Sequence, residues 1–294
     1  MRILFMTFMI SGYLGADPLS YPGSSWDRVS PDTVGFSQSK VERAMDSINK
    51  RASCSALVVQ GKLIASSGNR WQKHKAWSTG KSVLSTLIGI AYTKGQIESL
   101  DDPGIGDGVT IRENLQQNYR GYWRYEAVRG QTKAADIITK YTGDLQSYAQ
   151  KSLFDPLGMS RTEISSSGWM DTTCEDLARF GLLIARNGEW QGKQIVSPGY
   201  LEEAMTPLED NSAYGYLFWL NRKGRWKSTL GMNGRNSLPV PGAPENMIYA
   251  KGYNGQTVLI LPDQDIVLVR MGSSSGDTLG VVRDLYNALS KALP

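Results

Sequence analysis

Two blocks of strand-like sequence stand about 150 residues apart, and a fold has to reconcile them. The first, "SALVVQGKLIASSG", reads as two short strands joined by a tight turn at Gln60 and Gly61. The second begins near "YGYLFWLNR" and continues through "ENMIYAKG", "GQTVLILP" and "DIVLVRMG". Its β-branched and aromatic runs are split by Gly, Pro, Asn and Asp, as in antiparallel strands with short turns. Between the blocks the sequence is helical. "TKAADIITKYTG" and "LQSYAQKSLFDPLGM" have helical spacing, with Gly143 and Pro156 as stops. "TTCEDLARFGLLIARNG" adds a helix capped by Thr172 or Thr173, and "SPGYLEEAMTP" a shorter one. A helix from Ser37 to about Lys50 precedes the first block, with Val41, Ala44, Met45 and Ile48 on one stripe. "TLGVVRDLYNALSKAL" closes the chain. The expectation is an α/β protein of the α+β kind. One antiparallel sheet is built from both chain ends, with a helical lobe inserted between them. Residues 26–75 and 186–294 form the sheet domain, 76–185 the lobe and 1–25 a lead segment.

The 294 residues suffice for one large domain or two intertwined lobes. Lys and Arg exceed Asp and Glu by 32 to 28, with no run of like charge, which argues against a nucleic-acid partner. Cys54 and Cys174 permit one disulfide but make no framework, and with one histidine a zinc site is not expected. The opening "MRILFMTFMISGYLGADP" has Arg2, an apolar run from Ile3 to Ile10 and then Gly15 and Ala16. That is the pattern of a secretory signal and an exported, periplasmic or secreted location. Leu14 suits the cut poorly, and a cytoplasmic lead segment is the alternative. No later run is long enough to span a bilayer. The 8 Trp and 14 Tyr have the makings of an aromatic pocket without saying where it lies.

Three stretches invite a catalytic reading. "TGKS" ends like a phosphate loop, but Lys75 stands where the loop needs its first glycine, so that reading fails. "GSSSG", Gly272 to Gly276, matches a nucleophile elbow around Ser274, yet no histidine follows it, so a turn between the last strand and the last helix explains it better. A serine triad would have to use His74, which sits between Lys73 and Lys75 in a stretch that reads as surface. Ser78 and Lys81 remain. At this spacing on a helix, predicted from about Ser78 to Lys94, both side chains share one face. A lysine whose pKa is lowered by burial serves as base to a serine. The helix N-terminus adds a backbone N–H and a favourable dipole for an oxyanion. Spacing alone fits a solvated Lys81 and an N-cap Ser78 equally well.

"WSTGKSVLSTLIGIAYTKGQIESLDDP" resembles the serine hydrolases related to class C β-lactamases and penicillin-binding proteins, a group that includes carboxylesterases and nylon-oligomer amide hydrolases. The resemblance continues in "WDRVSPDTVGFSQSKVERAMDSI", "YTGDLQSYAQKSLFDPLGM", "DTTCEDLARFGLLIARNGEWQGKQIVSP" and "PGAPENMIYAKGYNGQTVLILPDQDIVLVRMG", in the family's order over nearly the whole chain. It implies a β-lactamase-like fold, Ser78 as nucleophile and Lys81 as its partner. It implies a tyrosine on a lobe loop: Tyr125 matches, with Tyr119 and Tyr122 as competitors and Ala127 where the family has asparagine. It implies that Ala250-Lys251-Gly252 stands for Lys-Thr-Gly on an edge strand, so the first lysine is lost. Gly252 and Gly255 would admit substrate, and the Tyr253 N–H would join that of Ser78 at the oxyanion. The segment between "SLDDP" and Tyr125 is short for the family, so the lobe is expected to be cut down. The implied activity is hydrolysis of a short-chain carboxylic ester, preferably neutral, with no metal or cofactor. An amide or β-lactam hydrolase, a D-amino-acid peptidase or a non-catalytic binder of peptide or cell-wall fragments is the alternative. Oligomeric state is left open.

Overall fold

The computed structural model describes residues 19–294, except Asp107, Arg120, Gly121, Ala127, Leu230, Gly231, Ser275, Gly276 and the side chains of Tyr119 and Tyr122. The signal reading of the first 18 residues lies outside the described residues. In chain order come α1 (Gln38–Ile48), β1 (Ala52–Val59), β2 (Lys62–Gly68), β3 (His74–Lys75) and α2 (Gly80–Thr93). Then follow α3 (Ile111–Gln116), β4 (Asn118–Tyr119), β5 (Tyr122–Trp123), α4 (Arg129–Thr142), α5 (Leu145–Ala149), α6 (Asp155–Leu157), β6 (Glu163–Ile164), β7 (Met170–Thr172) and α7 (Cys174–Ala185). The remainder is β8 (Glu189–Trp190), β9 (Lys193–Gln194), α8 (Pro198–Ala204), β10 (Trp219–Leu220), β11 (Gly224–Lys227), β12 (Asn233–Ser237), β13 (Ile248–Gly252), β14 (Gln256–Leu261), β15 (Ile266–Gly272) and α9 (Thr278–Ser290).

The main sheet has the order β10-β13-β14-β15-β1-β2, and each neighbouring pair is antiparallel. Both strand blocks of the sequence thus meet in one sheet, through the β1–β15 pairing. The β1–β2 turn uses Gln60 and Gly61, both at positive φ, the conformation a two-residue hairpin turn requires. A Cβ at Gly61 would lie 1.9 Å from the Ser20 carbonyl oxygen, so only glycine fits there.

Helices cover both faces. On one face, α1 buries Val41, Ala44, Met45 and Ile48, the stripe its periodicity predicts, in one cluster with Leu285 and Leu289 of α9. Each large aliphatic side chain buried this way contributes about 1.5–3 kcal/mol. On the other face, α2, α4 and α7 share a cluster with Ala56, Val58, Val258, Val267 and Val269 of the sheet. Cys54 on β1 and Cys174 at the start of α7 form a disulfide that ties sheet to helix. Of the two predicted caps for α7, Thr173 takes the role, accepting from the Asp176 N–H.

Three local differences from the sequence reading matter. The α2 helix starts at Gly80, and Ser78 occupies a single 3-10 turn, Trp77–Thr79, ahead of it. Trp77, the residue before Ser78, has a φ of +51°, so no helical turn continues N-terminal to Ser78. The "YGYLFWLNR" segment contributes only the two residues of β10, because Leu217 is also at positive φ and the preceding chain is irregular. The β11–β12 hairpin carries no apolar alternation to signal it, since Trp226 is the one apolar side chain in its two strands. No helix among the described residues is long and apolar enough to cross a membrane.

Candidate active site

The site lies where α2 begins beneath the edge of β13. Strand β10 pairs with β13 only at Ile248 and Tyr249, so the edge from Ala250 to Gly252 extends past it. The turn carrying Ser78 packs against this stretch. A Cβ at Gly252 would lie 2.8 Å from the Ala76 carbonyl oxygen and 3.1 Å from the Ser78 nitrogen. Glycine is therefore required at 252 for the strand to approach the turn this closely. The Thr79 hydroxyl donates to the Gln256 carbonyl at 3.2 Å and fixes the turn to β14. Ser82 donates to the Leu217 carbonyl at 2.8 Å and fixes the next turn of α2.

Lys81 is 1% exposed, and its Nζ donates to the Ser78 Oγ at 2.9 Å. Burial, with the positive charge of Lys251 second, lowers its pKa from 10.5 to about 7. A neutral lysine is then accessible near pH 7, and the same contact can carry a proton from Ser78 to Nζ. The Tyr125 hydroxyl is a further hydrogen-bond partner of the Ser78 side chain. Burial pushes that phenol up to about 12, so it remains protonated and able to donate. Lys81 Nζ lies 5.1 Å from the centroid of the Tyr125 ring. Ser78, Lys81 and Tyr125 thus converge, although Tyr125 is far from the other two in sequence.

An aromatic wall holds Tyr125 in place. Its ring centroid lies 5.8 Å from that of Trp219 and 6.4 Å from that of Trp123, and Tyr214 lies edge-on to Trp219 at 4.8 Å. The Trp123 N–H donates to Asp210 at 2.6 Å, and the Glu126 N–H donates to the Gln117 amide oxygen at 3.0 Å. The short segment after Asp102 therefore folds into α3 and the β4–β5 pair and still delivers Tyr125 to Ser78. The side chains of Tyr119 and Tyr122 and residue Ala127 lie outside the described residues.

Strand alternation separates the residues around 250. Ala250 belongs to the cluster beneath α2, whereas Tyr249 belongs to the opposite one. Lys251 turns the same way as Tyr249, as a two-residue offset along a strand dictates. It is 3% exposed, donates to the Thr278 hydroxyl at 2.9 Å and to Thr229 at 3.2 Å, and sits 4.0 Å from the Trp219 ring. Its pKa is lowered to about 7 by burial, against the opposing charge of Asp277. It lies against Trp219, on the face of the strand opposite Ala250.

Tyr253 follows Gly252 and is 65% exposed, with its ring 5.4 Å from that of Trp77. Gly255, at a φ of +77°, shapes the β13–β14 turn. Its carbonyl accepts from Arg270 at 3.1 Å, and no described contact joins it to Ser78. His74 pairs with Thr172 across β3 and β7, and burial lowers its pKa. Among the described residues no hydrogen bond links it to Ser78. Ser274 lies between β15 and α9, as a turn reading of "GSSSG" requires; Ser275 and Gly276 lie outside the described residues.

Sequence reasoning did not locate two features. A cleft of about 530 Å³ beside Tyr125 is lined by Arg124, Arg225, Lys227 and Arg235, with no Asp or Glu among its described lining residues. The alternation of basic residues along "GRWK" was the available signal. The other is the aromatic group of Trp77, Trp169 and Tyr253, which no local pattern connects.

Solved structures share this fold. A β-lactamase from Mycobacterium bovis matches with a TM-score of 0.67 at 16% identity, over 86% of this chain and 100% of its own. A penicillin-binding protein homologue from Caulobacter crescentus gives a TM-score of 0.68 at 14% identity, over 90% and 99%. A Bacillus anthracis protein assigned as a 6-aminohexanoate-dimer hydrolase gives 0.59 at 15%, over 92% and 87%. No protein-family model matches the sequence, and no curated protein matches it. At these identities the likeness concerns architecture: the chain has the mixed α/β fold shared by β-lactamase-like and penicillin-binding-protein-like structures, as the sequence resemblance implied.

Proposed function

We propose that this protein is a serine hydrolase that cleaves short-chain carboxylic esters through an acyl-enzyme on Ser78. The observation that carries the reading is the 2.9 Å contact between Lys81 Nζ and Ser78 Oγ, made by a lysine shifted to a pKa of about 7. Ser78 Oγ adds to the ester carbonyl while its proton passes to Lys81. The tetrahedral oxyanion accepts from the N–H groups of Ser78 and Tyr253. Collapse breaks the bond to the alkoxide, which takes a proton through Tyr125, with Lys81 as the source. Water then attacks the acyl carbonyl, loses its proton to the same lysine and returns Ser78 as the leaving oxygen. The fold supports the reading because the β-lactamase, the penicillin-binding protein homologue and the amide hydrolase assignment all occur on it.

A second reading has its own observation. Ala250 in place of a lysine argues for neutral substrates, yet Arg124, Arg225, Lys227 and Arg235 make the neighbouring cleft cationic. That charge favours an acidic amide or a β-lactam over a neutral ester. Both readings use the same nucleophile, and a panel of ester, amide and β-lactam substrates separates them.

The test is intact-mass spectrometry after incubation with a fluorophosphonate. Wild-type protein is expected to gain one phosphonyl adduct and Ser78→Ala none. A folded wild-type protein that stays unlabelled removes the hydrolase reading and leaves a binding protein.

A further inference from the structure

The aromatic residues around Tyr125 serve to place that side chain. A second aromatic group, built on Trp77, the residue before Ser78, has no part in the reaction as drawn. Trp77 immediately precedes Ser78 and sits at a φ of +51°. Bulky residues are rare in that region, and where they occur next to reacting groups the conformation tends to serve the site. Here the left-handed turn lets two neighbours part. Ser78 turns to Lys81, while the Trp77 ring turns to Trp169 (centroids 6.0 Å apart, planes at 82°) and Tyr253 (5.4 Å, 75°).

Trp77, Trp169 and Met170 line a cleft of about 240 Å³, with Lys75 and Asp171 completing it. Lys75 and Asp171 are exposed, so their charges stay in water, whereas Met170 is buried and both tryptophans are half-buried. The surface offered to a ligand is therefore mainly indole. An apolar cavity of about 150 Å³ takes a benzene ring, so this cleft holds one ring and part of its tether. A flat ring gains edge and offset contacts with indole beyond the area it buries.

Position then decides which part of the substrate enters. Tyr125, which protonates the leaving group in the proposed reaction, stands against Trp123 and Trp219. Trp77 instead contacts Tyr253, whose N–H is assigned to the oxyanion. We infer that the Trp77–Trp169 cleft binds an aromatic ring carried on the acyl group, so that the preferred substrates are arylalkanoyl esters. This deepens the hydrolase proposal and rests on it.

The test compares p-nitrophenyl 3-phenylpropanoate with p-nitrophenyl butanoate. The two share the same methylene arm and leaving group, so carbonyl reactivity is matched and the ring is the difference. The wild type is expected to favour the phenyl ester by about tenfold in kcat/KM, the order an aromatic contact of this kind supplies. Trp169→Leu is expected to bring the ratio toward unity, and Trp169→Phe to keep most of it; thermal melts establish that both variants are folded. A ratio unchanged in Trp169→Leu overturns the subsite. Fluorophosphonate labelling of Ser78 runs alongside. A labelled wild type that turns over both esters at the same rate overturns the aromatic subsite alone. An unlabelled wild type that hydrolyses neither overturns the hydrolase reading and the subsite with it.

Discussion

The two sides of Ser78 are built in different ways. On one side Lys81 stands a single helical turn away, on the most buried helix of the lobe, and its position follows from α2. On the other, Tyr125 lies in an irregular segment between β5 and α4, and no regular element fixes it. Its ring is held by Trp123, Tyr214 and Trp219, which come from two distant parts of the chain. The helix side is positioned by backbone hydrogen bonds that any helix makes, the tyrosine side by side-chain packing that must be built residue by residue. The difference teaches that a side chain in an irregular segment can be held as firmly as one on a helix, provided neighbouring aromatic residues supply a wall to lean it on.

Breaking the helix side should cost most. Lys81→Met, which keeps the volume of the buried stem, is expected to lower ester turnover by about 10³-fold, within the range for loss of a general base. Near-normal turnover in this variant would remove lysine as the base. On the tyrosine side, Tyr125→Phe is expected to cost about 10²-fold in kcat while leaving fluorophosphonate labelling detectable, since its role falls largely on the leaving group. Tyr119→Phe and Tyr122→Phe sharpen the comparison: a larger loss in either than in Tyr125→Phe would reassign the relay.

The smallest effect joins the two sides. Lys81 must be neutral to accept a proton, so kcat/KM should rise with pH through a midpoint near 7. Lys251 helps to hold that midpoint down from behind Trp219. Lys251→Met is therefore expected to move it upward while the plateau rate stays within a few-fold. A midpoint that stays put would show that burial alone sets the Lys81 pKa. Stability gives an independent check. The two lysines have folded pKa values of about 7 against 10.5 unfolded, so between those pH values the unfolded chain binds more protons and stability rises with pH. Below about 7 both charges must be carried in buried sites. The variant should therefore be more stable than wild type at pH 6 and gain less on going to pH 9, as denaturant midpoints would report.

The sequence by itself determined much of this. Hydrophobic period placed the stripe of α1, the β1–β2 hairpin, the three last strands of the sheet and the C-terminal helix, because each depends on residues a few positions apart. Spacing also put Ser78 and Lys81 on one side of one turn. What it did not fix is where that turn ends and what faces it. The first turn, Trp77–Thr79, is 3-10 and α2 starts at Gly80, while Trp77 is left-handed with its ring against Trp169 and Tyr253, none of which periodicity reports. Lys251 lies on the far side of its strand from Ala250, and only the pairing of β13 with β14 assigns those faces. The aromatic wall, the cationic cleft and the Trp77–Trp169 slot were decided by tertiary structure alone. Each is assembled from segments tens of residues apart, and no periodicity links side chains that meet only when distant parts of the chain close on one another.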